Sequence, residues 1–256
     1  MTDTSSTSKH SLVLSKNTPA PPFQPLEVHH LSHDLRGPLN SILGFSELLL
    51  EGIEGPLNET QIEDIAAIYQ SAQNLLLLIN NVVDISKLKA GRLSFDFGPV
   101  DLEKVLQNVS DFDFDVSKPT QLDLIIEQTN KLLPPVWGDA TRVEQMILNL
   151  IRFAFRIMRT GTVTITTTGD AQMVQIKVEL AEITIQPEDL DNLFELAVTM
   201  DPNGRSELSK GGLELPLTQL LAESHQGQVE VERHEPTGTT FYLTLPTYNK
   251  VAQSIN

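Results

Sequence analysis

Leu31-Ser32-His33-Asp34-Leu35-Arg36-Gly37-Pro38-Leu39 opens a spacing that decides the first part of the fold. Continued outward, apolar or ring side chains fall at Leu31, Leu35, Pro38, Ile42, Phe45 and Leu49, in alternating steps of four and three from about Leu26 to Glu51. A helix with that alternation carries a coiled-coil seam. After a turn at Gly55-Pro56, Thr60 and Glu63 have capping-box spacing. A second seam follows at Ile65, Ile68, Ala72, Leu75, Ile79 and Val82. Two antiparallel helices with one stripe each are best buried when a second copy completes a four-helix bundle. The alternative is a lone hairpin packed on the rest of the chain.

His33 falls between two seam positions, so its imidazole is expected to face solvent. A neutral imidazole nitrogen is nucleophilic near neutral pH, and a carboxylate on the next residue, Asp34, can orient the ring and hold its other N–H. Pro38 lacks a backbone donor and frees the carbonyl of Asp34, which lets the helix bend beside the histidine. This stretch resembles the dimerisation and phosphotransfer region of two-component sensor histidine kinases, in which His is followed by Asp or Glu, then Arg and Pro-Leu. The resemblance implies that His33 is the phosphoacceptor and Asp34 its general base, with Arg36 and Pro38 as motif support. His10, His29, His30, His225 and His234 carry no such context and read as ordinary histidines. Many family members place Thr or Asn four residues after the histidine, to position the water that dephosphorylates the partner regulator. Here that residue is Gly37, so the resemblance stops short of that activity.

After Lys89-Ala90-Gly91 the pattern changes. Leu93 to Phe97 reads as a strand, Val100 to Val109 as a short helix and Leu122 to Glu127 as a strand. Asp139 is positioned to cap a long amphipathic helix that buries Val143, Met146, Ile147, Leu150 and Ala154. Strands are expected at Val163–Thr167 and at Val174–Leu180, the latter turning Val174, Ile176, Val178 and Leu180 inward. A helix from Leu213 to Ser224 and strands at Gln228–Glu232 and Thr240–Leu245 complete the order. That order resembles the catalytic ATP-binding domain of histidine kinases, an α/β sandwich shared with the Hsp90 and gyrase ATPases. The fold class is therefore α plus α/β: a dimeric antiparallel helical hairpin followed by an ATPase-like sandwich. The expected divisions are a disordered tail over 1–25, the hairpin over 26–91, the sandwich over 92–247 and a C-terminal tail over 248–256.

The resemblance also says what such a sandwich must supply: a magnesium ligand, an acid that reads the adenine amino group, and glycines beside the phosphates. In Asn149-Leu150-Ile151-Arg152-Phe153-Ala154-Phe155-Arg156, Asn149 and Arg156 fit as nucleotide contacts, but Phe153 stands where the magnesium-binding Asn belongs. The family's Asp-x-Gly-x-Gly aligns with Leu180, Glu182 and Thr184, and no glycine occurs anywhere from Asp170 to Met200. In Gly211-Gly212-Leu213-Glu214-Leu215, Glu214 replaces a phosphate-loop glycine and sets a negative charge where triphosphate would lie. No cofactor is therefore expected.

With 18 basic against 34 acidic residues, the formal charge of −16 disfavours nucleic acid and anionic membranes as partners. The absence of cysteine excludes disulfides, thiolate metal sites and a cysteine nucleophile, and fits the cytoplasm. The leading expectation is a homodimer that exchanges a phosphoryl group between His33 and an Asp of a response-regulator receiver domain. Two alternatives stay open: an autokinase that uses ATP and magnesium through unusual contacts, and a non-catalytic partner of another histidine kinase.

Overall fold

A computed structural model describes residues 25–53, 55–112, 121–127, 133–158, 160–190, 192–196, 198–200, 206–208, 212–234 and 238–255. All but the last residue of the expected N-terminal tail lies outside these. Helix α1, Pro25–Leu50, runs on through Pro38. Helix α2, Glu59–Lys89, is opened by a reciprocal cap two residues earlier than Thr60 and Glu63 suggest. The Gln61 N–H donates to Asn58 Oδ1 at 2.9 Å and the Asn58 N–H donates to Gln61 Oε1 at 3.0 Å. Asn is as good an N-cap as Thr or better, and using Asn58 adds residues to the helix.

On α1 the helices do not meet along the expected seam, while on α2 its member Ala72 is buried. Over residues 32–50 of α1 the buried positions are Ser32, Leu39 and Ser46, with Arg36 and Leu43 half-buried between them. This is the same four-three alternation moved one residue along. The small serines let α2 approach closely, and the guanidinium of Arg36 donates to Asn80 Oδ1 of α2 from Nη2 at 2.8 Å and from Nε at 3.2 Å. Leu35, Ile42 and Phe45 of α1 and Ile68, Leu75 and Val82 of α2 remain exposed. The hairpin thus has an inner stripe satisfied within the chain and an outer apolar stripe that is not.

The sandwich begins with β1, Gly98–Val100, and α3, Leu102–Ser110, and continues through β2, Gln121–Ile126, and β3, Val136–Gly138. Then come α4, Ala140–Ile157, β4, Thr160–Gly169, β5, Met173–Leu180, and the single turn α5, Pro187–Leu190. The chain closes with β6, Val198–Met200, β7, Ser206–Leu208, α6, Glu214–Ser224, β8, Gln228–Arg233, β9, Thr239–Pro246, and α7, Tyr248–Ile255. Five strands form one sheet in the order β2-β4-β5-β9-β8, with only β2 and β4 parallel, while β1 pairs with β3 and β6 with β7. The inward faces of β5 and α4 are those the sequence indicates: Val174, Ile176, Val178, Leu180, Val143, Met146, Ile147, Leu150 and Ala154 are fully buried.

Two expectations are corrected. Leu93 to Phe97 forms no strand, because its alternating apolar side chains are satisfied by ring packing instead. Phe95 and Phe97 lie 5.4 and 4.9 Å from the His225 ring, and Phe97 stacks on Trp137 at 5.8 Å. The strand starts only at Gly98. Residues 248–255, expected as a tail, are helix α7, which buries Val251 and sets Tyr248 against Trp137.

The end of α2 belongs to the second core as much as to the hairpin. Ile85 lies in that core, and Leu78 and Leu88 pack against it. Beside them Asp84 receives Arg142 Nη1 at 2.8 Å and Gln145 Nε2 at 3.1 Å, both from α4. Among the described residues no helix is long and apolar enough to cross a membrane.

Candidate functional site

The reactive candidate follows directly from α1 geometry. Since Ser32 and Arg36 point at α2, His33 and Asp34 point away, and their side chains are 84% and 81% exposed. His33 Nδ1 faces Asp34 Oδ1 at 3.6 Å, a distance too long for a hydrogen bond. Nε2 is left facing solvent. Pro38 and Gly37 lie exposed on the next turn, and a Cβ added at Gly37 would meet nothing within 4 Å. A larger side chain therefore fits there. Arg36 serves the hairpin itself, through Asn80.

The nucleotide positions sit in the other domain, on α4, the turn after β5, and the start of α6. Phe153 is 1% exposed and meets Phe241 edge-on at 5.4 Å, while Phe194 meets the same ring at 6.5 Å. Leu180, aligned with the adenine acid, is fully buried. Glu182 holds a positive φ of 69°, the conformation a glycine would supply there, which supports the register Leu180, Glu182, Thr184. Beyond it the Thr184 hydroxyl accepts from the Gly238 N–H at 3.1 Å and the Thr239 hydroxyl donates to the Ile183 carbonyl at 3.0 Å, tying this loop to β9.

Asn149 is fully buried, and its amide has no hydrogen-bond partner among the described residues. Arg156 does not stand free: its Nη2 lies 3.5 Å from Glu214 Oε2, and its guanidinium rests over the Phe153 ring at 5.3 Å. A magnesium–nucleotide needs oxygen donors and a cationic phosphate cradle. The described side chains here are the Phe153 phenyl, the Leu180 isobutyl group and the Glu214 carboxylate paired with the Arg156 guanidinium, and the Asn149 amide is sealed from solvent. Gly211 lies outside the described residues.

Sequence reasoning passed over His225, which is structural. Fully buried at the end of α6, its Nδ1 lies 2.8 Å from the Leu221 carbonyl and its Nε2 accepts the Asp139 N–H at 3.1 Å. That pairing fixes the proton on Nδ1 and joins α6 to the start of α4, where Asp139 caps the helix by accepting the Arg142 N–H. Burial pushes the His225 pKa down, opposed by the Leu221 hydrogen bond and by Asp139, and aided by Arg142. A Cβ on Gly138 would press to 2.9 Å from the His225 ring, so a glycine next to an Asp was the available signal.

Residues 26–91 match the His Kinase A (phospho-acceptor) domain, and residues 138–249 match the histidine kinase-, DNA gyrase B-, and HSP90-like ATPase family. The fold and the site together define a phosphoacceptor hairpin joined to an ATPase-like sandwich. The chain belongs to the two-component sensor histidine kinases. It is 33% identical over 226 residues to the histidine protein kinase DivJ of Caulobacter vibrioides, covering 85% of this chain and 36% of that one. It is 32% identical to the signal transduction histidine-protein kinase BarA of Escherichia coli, covering 84% of this chain and 24% of that one. The chain thus spans about a third or less of these relatives. Among solved structures, full-length ShkA in complex with AMPPNP aligns with a TM-score of 0.62 at 24% identity, over 88% of this chain and 46% of that one. Histidine kinase ThkA in complex with the response regulator TrrA aligns with a TM-score of 0.57 at 21% identity, over 88% and 62%.

Proposed function

We propose that this chain is a phosphotransfer protein of two-component signalling, in which His33 carries a phosphoryl group exchanged with an Asp of a response-regulator receiver domain and the chain's own use of ATP is lost. The observation that carries the reading is an exposed imidazole with Nδ1 turned to a carboxylate, in a chain whose nucleotide positions hold Phe153, Leu180 and Glu214. ThkA, whose fold this chain shares, is captured with a response regulator, which supports a receiver domain as partner.

In the tautomer with a proton on Nδ1, the Nε2 lone pair attacks the phosphorus of an aspartyl phosphate. The N–P bond forms as the bond from phosphorus to the carboxylate oxygen breaks, and the freed carboxylate stays on the receiver. The charge gained by the ring is offset by Asp34 as the Nδ1 proton moves towards it or to solvent. The reverse sequence returns the group. The outer stripe of Leu35, Ile42, Phe45, Ile68, Leu75 and Val82 suits a second copy, which makes the active unit a homodimer with two such histidines. A cytoplasmic place, where receiver domains are met, agrees with the absence of cysteine.

The test is to mix the full chain with a receiver domain already phosphorylated on Asp by an acyl phosphate. Wild type is expected to gain an acid-labile, base-stable label that His33→Ala does not, with the variant equally folded because the side chain touches little. An unlabelled wild type overturns the transfer. ATP-dependent labelling of His33 with magnesium present overturns the loss of ATP use.

A further inference from the structure

Glu214, read from sequence as a bare repulsive charge, is paired with a cation. It is only 8% exposed as the first residue of α6, and its Oε2 faces Arg156 Nη2 at 3.5 Å. Arg152, four residues earlier on the same face of α4, lies in the field of the same carboxylate and over the Phe112 ring at 4.9 Å. Burial draws the Arg152 guanidinium down while Glu214 raises it, so the carboxylate offsets part of the cost of keeping that cation in place. Gly212, with φ 62°, makes the arrangement possible: a Cβ there would lie 2.7 Å from Arg156 Nη2 and would collide with Glu214 Oε2. At the N-cap of α6, Leu213 makes no side-chain hydrogen bond to the first turn. The Arg156 guanidinium, a glycine turn and a helix start without a side-chain cap all favour an anion at one point. The chain itself supplies that anion.

We propose that Arg156 and Gly212 form a phosphate-class anion site that the protein fills with its own Glu214 carboxylate. The sandwich then keeps permanently a charge balance that an external polyphosphate would otherwise provide. This rests on the reading that nucleotide use is lost, and it turns that loss from a set of missing groups into one plug that can be withdrawn.

The experiment follows the thermal midpoint of the full chain in inorganic tripolyphosphate against sodium chloride of equal ionic strength, for wild type, Glu214→Gln and Glu214→Gln with Arg156→Gln. Wild type is expected to respond alike to both salts. Glu214→Gln is expected to gain about 3 °C or more from tripolyphosphate once that anion is at roughly ten times its dissociation constant, and the double variant to lose the gain. Should Glu214→Gln not fold, Glu214→Asp, with its carboxylate drawn back by one methylene, must show a smaller gain that Arg156→Gln removes. A folded variant with no gain overturns the proposal, as does a wild type that already responds as strongly as the variant. Tight magnesium–ATP binding by wild type would instead overturn the reading on which it rests.

Discussion

Glu182 shows what a backbone conformation costs at one residue. It keeps φ at 69° beside Gly161, itself at φ 114°, so the turn after β5 still has a shape suited to glycine while bearing a side chain. A left-handed non-glycine residue costs about 1–2 kcal/mol, and glycine gives back about 0.4–1 kcal/mol through the freedom of the unfolded chain. Glu182→Gly is therefore expected to stabilise the protein by about 0.5–1 kcal/mol, read as a higher urea midpoint; a lower midpoint would show the turn unstrained. His225 gives a pH-dependent counterpart. Its pKa is lowered in the folded state chiefly by burial, with Leu221 and Asp139 opposing and Arg142 adding, so the unfolded chain takes up the proton more readily. The stability it contributes is whole above about pH 6.5, the unfolded value, and drains away as pH falls from there through the folded value. The wild-type thermal midpoint should fall between pH 7.5 and 5 more steeply than that of His225→Gln, which starts lower for want of the Asp139 and Leu221 contacts. Parallel profiles would remove His225 as the cause.

At the scale of elements, the helices and the main sheet were legible because their periods are set by burial: the inward residues of β5 and α4 were readable one by one. Period alone did not tell which stripe of the hairpin faces inward. Two four-three stripes run side by side on α1, and the apolar one is outside, while Ser32, Leu39 and Ser46 turn in with Arg36 reaching Asn80. A polar stripe that closes a hairpin resembles a solvated face in sequence. Likewise Leu93 to Phe97 alternates like a strand but spends its rings on His225 and Trp137. The exposure of His33 was legible from its place beside the seam, whereas the pairing of Arg156 with Glu214 joins residues too far apart in sequence for spacing to reveal. The exposed stripe makes its own prediction. Burying one large apolar side chain is worth about 1.5–3 kcal/mol, and a twofold interface counts it twice. Ile42→Glu should thus weaken self-association at least about 100-fold in sedimentation equilibrium without loss of helical circular dichroism. A monomeric wild type, or a variant that dimerises as well, would leave the stripe without that partner.

The whole molecule is held together where α2 passes from one core into the other, and there two features oppose each other. The ion pair of Asp84 with Arg142, mostly buried and braced by Gln145, clasps α2 to α4. Asn81, on the same helical face as Leu78, Ile85 and Leu88, is fully buried with no hydrogen-bond partner for its amide among the described residues. An unsatisfied buried amide costs about 1–3 kcal/mol, and breaking a charged hydrogen bond of this kind about 1.5–3 kcal/mol. The docked arrangement is thus clasped at one residue and undermined one turn away, so a small change at either decides whether the hairpin and sandwich behave as one body. Asp84→Ala leaves Arg142 half-buried without its carboxylate. It should split a single calorimetric unfolding transition into two, with faster amide exchange along Leu78 to Leu88. Asn81→Leu removes the orphan group at little change of volume, and should raise the shared transition by about 1–2 kcal/mol and slow the same amides. If the Leu variant unfolds earlier than wild type, the Asn81 amide is satisfied in solution, and the tension between the two residues is not what sets the docking.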